Sequence, residues 1–366
     1  MARPLASRYL RRVATTSAIL IGALLVVALV GEFFASPYNS LELVIVNFFI
    51  TTVIIIALQM FTGNSGCISY GHAAFVGIGA YVAAWLTVPK TIKADLFPSL
   101  PNWLLDAHWS FLPTVIVATL AGTLVAAVIG VVLARMKPTA IAMSTLALLV
   151  IAHGVFSNWQ GVTRGAVGVY GLPQNTTLWV AFFVVALAVV VGLLFRYSHV
   201  GLCAQASRED SLAAEASGVG VVRTRYIAWV ASAALAALAG SVWAQFNLAF
   251  DPSQFYYTQV FAALSMLVIG GMATMSGAVI GAAVVTVLSQ ILLSIEAGSF
   301  LGISVPPING LQQMVLALIT LLILIYRRDG IMAWWEVDEW SHKLRMRVTG
   351  RKAARSQPAP EKQDSG

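Results

Sequence analysis

The sequence predicts an all-α fold, a polytopic transmembrane helical bundle, and three observations predict it. Of 366 residues, 59% are hydrophobic and only 10% charged, where a soluble domain of this length carries roughly a quarter charged residues. The mean hydropathy is +0.83. The few charges gather in short gaps between long apolar runs. They cannot cover a water-facing surface of this size, and lipid is the solvent that removes the problem.

A helix needs roughly 20 apolar residues to cross the hydrocarbon core, and on that measure the chain holds about ten spans. They run from Val13 to Phe34, Leu41 to Phe61, His72 to Val88, Phe111 to Ala134, Ala140 to Phe156 and Leu178 to Phe195. Tyr226 to Phe246, Thr258 to Ile269, Met275 to Ile295 and Asn309 to Tyr326 complete the set. The eighth is short, and a hairpin dipping part-way is its alternative. Each run is apolar all round, so no amphipathic period is expected. The first follows Arg3, Arg8, Arg11 and Arg12 as a signal peptide does, but it is too long for an apolar signal core and another span follows at once. It reads as an uncleaved first helix.

Charge sets the orientation. With both ends inside, 19 of the 22 Lys and Arg residues fall on the inner side and only Lys90, Lys93 and Arg164 outside, as the positive-inside rule requires. The net charge of +7 is therefore a topology signal rather than a phosphate-binding face, and no nucleic acid partner is expected. The outer loop Pro89 to Ser110 is punctuated by Pro89, Pro98 and Pro101, with Trp103 and Trp109 as interfacial aromatics. The run Gly161 to Gly171 has four glycines and no flanking strand, so it is an outer loop and not a dinucleotide fingerprint. Residues 1–340 form the membrane domain and 341–366 a cytoplasmic tail. Trp334, Trp335 and Trp340 beside basic residues suit an interfacial helix. From Arg351 the composition is that of a disordered end. Cys67 and Cys203 both fall on the inner side, which argues against a disulfide, and no metal-ligand spacing involves them.

Gly63 to His72 (Gly-Asn-Ser-Gly-Cys-Ile-Ser-Tyr-Gly-His) is polar and glycine-rich, yet holds no Lys, Arg, Asp or Glu. Irregular backbone near membrane depth is tolerated where protein or a water-filled cavity covers it, and broken segments of this kind line transport paths. A tight solvated turn is the competing reading. Ser69, Gly71, His72 and Gly77 are the candidates for such a path. Ala73, Gly77, Ala80 and Ala84 share one helix face, a stripe that lets another helix approach. His72 is either a satisfied structural residue or a functional ionisable group within a span. Ser69 and His72 stand three apart, which suits a nucleophile and its base, but no acidic partner lies within the spans to orient them.

The second informative stretch runs from Ala206 to Val219 in the longest inner loop. Ser207 can cap a helix, Glu209 and Asp210 suit its first turn, and Gly218 can end it. Leu212, Glu215 and Val219 fall near one face. A helix of about three turns with no core of its own docks on a partner, or else on lipid or its own chain. Asn47, Gln59, His153, Gln245, Asn247, Gln259, Gln290 and Gln312 read mainly as interhelical hydrogen-bonding groups. There is no Gly-x-x-x-x-Gly-Lys-Ser/Thr, so the chain does not bind ATP by a phosphate loop of its own.

Four places, in order, resemble the inner-membrane permeases of branched-chain amino acid ABC importers, the LivM/LivH class. They are Ser69-Tyr70-Gly71-His72-Ala73-Ala74-Phe75 continuing to Tyr81, and Asn158-Trp159 with Thr163, Gly165, Gly168 and Gly171-Leu172-Pro173. The others are Arg208-Glu209 through Ala213-Ala214-Glu215-Ala216-x-Gly218-Val219, and Gly270-Gly271 leading to Gly277-x-x-x-Gly281-Ala282. The chain departs from the pattern at Cys67, Tyr70, Ala273, Ala278 and Arg328-Asp329-Gly330. The resemblance implies a permease subunit, not an enzyme and without a cofactor or metal, in a bacterial inner membrane. It implies a second permease subunit, two separate ATPase subunits and a periplasmic substrate-binding protein as partners. Arg208, Glu209, Asp210, Ala214, Glu215 and Gly218 would then belong to a coupling helix set into the ATPase. Relatives import branched-chain amino acids, urea, short amides or other small solutes, and these remain open. An intramembrane enzyme using Ser69, His72 or Cys67 and an ATP-independent channel or carrier are the readings from other classes.

Overall fold

The computed structural model describes residues 3–34, 41–297, 299–300, 303–304, 310–326, 330–332 and 336. The chain begins with α1 (Arg3–Phe33) and α2 (Leu41–Leu58), which continues as a π turn over Gln59–Gly63. After an irregular stretch comes α3 (His72–Thr87). The segment 89–110 that follows, expected as an outer loop, is not simply a surface segment. It folds into α4 (Lys90–Leu96) and α5 (Asn102–Leu105), with Leu96 and Phe97 buried beneath. Lys93 is buried there too and donates to the carbonyls of Leu104 and Ala107. Burial pulls its ammonium below the ordinary lysine range, and nearby Asp106 opposes that shift. Trp103 and Trp109 remain exposed, as interfacial aromatics should.

Next are α6 (Phe111–Leu133), α7 (Pro138–Asn158) and the single turn α8 (Gln160–Thr163). The four-glycine run does contain a strand. Two-residue β1 (Val169–Tyr170) pairs antiparallel with β2 (Ala249–Phe250), Val169 opposite Phe250. Two residues are too few to show in a sequence pattern. Helices α9 (Leu178–Tyr197), α10 (His199–Glu209), α11 (Ser211–Ala216) and α12 (Val221–Asn247) follow, then α13 (Tyr257–Gly270) and α14 (Met275–Glu296). A second two-residue pair, β3 (Ser299–Phe300) with β4 (Ile303–Ser304), precedes α15 (Leu311–Tyr326).

Among the described residues, seven helices are long and apolar enough to cross a membrane. Three expected spans are shorter: α3 has 16 residues, α13 has 14 and α15 has 16. At 1.5 Å per residue they reach about 21 to 24 Å, short of a hydrocarbon core of about 30 Å. Asn309, the tryptophans at 334, 335 and 340, and the tail 341–366 lie outside the described residues.

Lipid gives helices no hydrophobic reason to associate, so backbone approach and van der Waals packing hold the bundle together. Helix α12 is its centre, packed between α3 and α6. A Cβ on Gly79 would overlap the Ala237 carbonyl, and one on Gly240 would overlap the Val76 carbonyl. Closest approach therefore runs through Val76 and Gly79, beside rather than along the expected stripe of Ala73, Gly77, Ala80 and Ala84. Gly77 instead accommodates the rings of Phe156 and Phe255.

Candidate functional site

The π turn ends α2 with Asn64 and Ser65 bonded back to it, Asn64 Nδ2 to the Met60 carbonyl at 3.0 Å and Ser65 Oγ to Phe61 at 2.8 Å. Gly66, at φ 71°, then reverses the chain. Asn64, Ser65, Cys67 and Ser69 are buried while Gly66 and Ile68 are exposed, so the segment is mostly covered rather than a fully solvated turn. It is irregular backbone largely covered by protein, the condition under which a membrane tolerates it.

His72 opens α3. Its Nδ1 lies 2.9 Å from Ser69 Oγ and its Nε2 lies 3.0 Å from Ser232 Oγ. Ser232 donates its proton to the Trp229 carbonyl, so it accepts from Nε2–H and Nδ1 accepts from Ser69. Both ring nitrogens of a neutral imidazole are thereby satisfied, with Phe61 and Trp229 around the ring. The Ser69–His72 distance suits a nucleophile and base, but the third member is a serine and not a carboxylate. Tyr70 N–H donates to Thr145 on α7, and Gly71 rests against the same residue. Beside Ser69 and His72 is a void of about 10 Å³, lined also by Ile54, Leu58, Gln259 and Ala263. That is room for one water at most.

The second sequence candidate differs from its expected form. Ser207 does not cap a helix but lies inside α10, bonded to Ala204. Asp210 is not in a first turn. Its Oδ1 accepts from Leu212 N at 2.9 Å and Ala213 N at 3.1 Å, which breaks the helix into α10 and α11. A short polar side chain that bonds the following backbone competes with helix continuation, so one expected helix becomes two at a right-placed aspartate. Gly218, at φ 84°, ends α11 as expected. Glu209, Asp210, Leu212, Glu215 and Gly218 are exposed, Leu212 at 78%, while Ala214 is buried.

Arg208 points the other way. Its Nη1 donates to the Gly63 carbonyl at 2.6 Å, and Gly66 has no side chain to displace it. Its Nη2 pairs with Glu209 at 2.8 Å. A neighbouring arginine does the same for the adjacent residue: Arg196 Nη1 lies 3.3 Å from Asn64 Oδ1. Arg196 Nε stands 3.0 Å from Glu336 as an ion pair rather than an aligned hydrogen bond. Glu336 in turn accepts from Met275 N, Ser276 N and Ser276 Oγ at the start of α14. The broken segment is thus held at its Gly63–Asn64 end by two arginines. Sequence reasoning counted Arg196 only as a topology charge and did not single out Glu336. Sixty residues separate Glu336 from its serine partner, and nothing local in the sequence signals the pairing.

Both cysteines are free, and no cluster of three His, Cys, Asp or Glu side chains suits a metal among the described residues.

A family profile described as the permease component of branched-chain amino acid transport systems matches residues 40–325. LivM of Salmonella typhimurium, named a high-affinity branched-chain amino acid transport system permease protein, is 25% identical over 85% of this chain and 73% of its own length. LivH of the same organism is 25% identical over 78% of this chain and 92% of its own. A probable branched-chain amino acid transport permease protein of Methanocaldococcus jannaschii is 25% identical over 72% of this chain and 83% of its own. No solved structure matches.

Proposed function

The chain belongs to the permease family of branched-chain amino acid transport systems, and from that premise we propose that it is one transmembrane subunit of an ATP-driven importer for branched-chain or similar amino acids. It works beside a second permease subunit, above two separate ATPase subunits, and receives solute from a periplasmic binding protein. It crosses a bacterial inner membrane about ten times, with both ends inside and 341–366 as a cytoplasmic tail. Urea, short amides and other small solutes are the alternative cargo.

One observation carries this reading: the Arg208 guanidinium bonds the Gly63 carbonyl. Arg208 lies in the last turn of α10, and Glu209, Asp210, Leu212 and Glu215 beyond it are exposed, on the inner side in this orientation. Gly63 ends the π turn of α2, and the irregular stretch after it leads through Ser69 and Gly71 into α3 at His72. A push on α10 and α11 by an ATPase therefore reaches the broken segment through one hydrogen bond. Alternating access follows if that segment, with Gly77 further along α3, moves with α10. Such motion needs a two-state element, and irregular backbone with a π turn at its edge supplies one.

The two serine partners of His72, one at each ring nitrogen, favour positioning over proton transfer. The same geometry, with a serine where an acid should orient the base, disfavours an intramembrane hydrolase. The test is uptake of radiolabelled leucine by cells lacking the ATPase subunits proposed as its partners. Uptake should disappear, and persistence would favour a channel or carrier. Glu215→Ala and Gly218→Val should lower uptake while membrane levels of the subunits hold. Unchanged uptake in both would count against the coupling role.

A further inference from the structure

A cavity of about 570 Å³ opens between α2, the end of α12, α13, α14 and the start of α15. In the orientation proposed above, the start of α2, the ends of α12 and α14 and the start of α15 are all outer ends, so the cavity faces outward. Among the described residues its hydrogen-bonding lining is uncharged: Asn47, Thr51, Asn247, Thr286, Ser289, Gln290 and Gln312. The rest is aliphatic or thioether surface such as Met266, Val285 and Leu316. The adjoining segments 35–40 and 298–309 contain no Asp, Glu, Lys or Arg. The nearby acid Glu296 is already engaged, accepting from the backbone of Gly310 and Gln312.

Many hydroxyls elsewhere in the bundle are bonded back to their own helix, although the buried Thr16 and Thr62 hydroxyls are not. Thr52 donates to Phe48, Thr87 to Ala83 and Thr320 to Leu316. Thr51, one residue from Thr52, lines the cavity instead. Of these seven side chains Asn247 is bonded back to the Trp243 carbonyl, and no hydrogen bond among the described residues occupies the other six. Polar groups left unpaired at membrane depth are costly, so they mark a wet or ligand-filled space rather than a lipid-facing one.

The cavity also adjoins the broken segment. Asn47, Thr51, Ile54 and Leu58 follow one another at four, three and four residues along a single face of α2. The first two line the cavity and the last two line the closed void beside Ser69 and His72. On α13, Ala262 and Met266 face the cavity while Gln259 and Ala263 face the void. Helix α13 is the wall between them.

We propose that this cavity is the outward-facing binding chamber for a solute of no net charge that carries hydrogen-bonding groups and an aliphatic part. The chamber rests on the importer reading. Amides and hydroxyls both donate and accept, so they serve an ammonium and a carboxylate of one zwitterion. A net ion would leave water with no counter-charge to meet it. The void next to Ser69 is the closed continuation of the path, and α13 must shift for the two to join.

Thr51→Cys and Ser289→Cys test the chamber in the full complex in intact cells, with a membrane-impermeant thiol reagent. Asn102→Cys in the outer loop is the control for accessibility, and the unsubstituted chain gives the background of Cys67 and Cys203. Leucine, propanamide and urea serve as probes. Both chamber variants should react, uptake of the carried probe should then fall about tenfold, and that probe should slow the reaction several-fold. Gln290→Leu, which introduces no thiol, should raise the half-saturating concentration about tenfold for one lost polar contact. Failure of both variants to react while Asn102→Cys reacts overturns the chamber. Reaction that none of the three probes slows overturns it as well. The importer reading fails separately, by uptake that persists without the ATPase subunits.

Discussion

Glu336 holds more of the inner end together than any residue picked out by motif. Its carboxylate is 3% exposed, accepts from the first two backbone N–H groups of α14, and faces Arg196. A carboxylate at a helix N-terminus is favoured by the helix dipole and by the unpaired N–H groups there. Removing it leaves a buried guanidinium with Asn64 as its remaining side-chain partner. Breaking a buried pair in this way costs about 3–5 kcal/mol. Glu336→Ala should therefore lower the thermal stability of the detergent-solubilised chain far more than Glu296→Ala, whose carboxylate lies near the exposed start of α15. Equal losses from the two would show that the ion pair is not a main contributor. Arg208→Lys is the complementary probe of coupling. Lysine keeps the charge but not the planar fork, so uptake should fall while the ATPase rate of the complex stays.

At the scale of elements, small residues and caps determine which helices meet and where they stop. Gly79 and Gly240 bring α3 and α12 into backbone contact. Gly79→Val or Gly240→Val puts a branched side chain where a carbonyl stands, and either should abolish stable assembly, read as loss of the full-length chain from membranes. Gly22, with open space around its Cα, is the matched control, and Gly22→Val should be tolerated. The Asp210 cap predicts the opposite kind of effect. Asp210→Ala removes two backbone bonds worth about 0.5–2 kcal/mol and lets α10 run on into α11. That change should hardly affect global stability but should redirect Glu215 and lower uptake.

For the molecule as a whole, orientation and surroundings are the questions. The proposed topology puts Cys203, partly exposed at the inner end, on the cytoplasmic side, while Cys67 is buried. An impermeant thiol reagent should label Cys203 in inverted vesicles and not in intact cells. Labelling in intact cells would reverse the orientation. The lone chain also exposes many apolar side chains on α1, α6 and α7, among them Leu120, Leu124 and Met143. In lipid such surface is normal for a span, whereas the polar lining of the outer cavity is not.

The sequence by itself determined the apolar solvent, the helical class and the family, and it set the expectation of which loops lie inside. Each of these depends on composition or on short-range spacing: apolar run length, the side on which Lys and Arg fall, and four motifs in order. It also located the glycine segment before His72 and the end of α11 at Gly218. It did not resolve the break at Asp210, because a short polar residue can either continue a helix or leave it to cap the next one, and the surroundings decide which; here Asp210 is extended, at φ −152° and ψ 109°. It placed the close-approach stripe on α3 a residue or two away from Gly79, because only the partner helix settles which face it meets. The Arg196–Glu336 pair, the Arg208–Gly63 bond and the joining of Asn47 with Ser289 around one cavity came from the tertiary structure alone. Those contacts link residues from 140 to more than 200 positions apart, and the forces that form them act through space rather than along the chain.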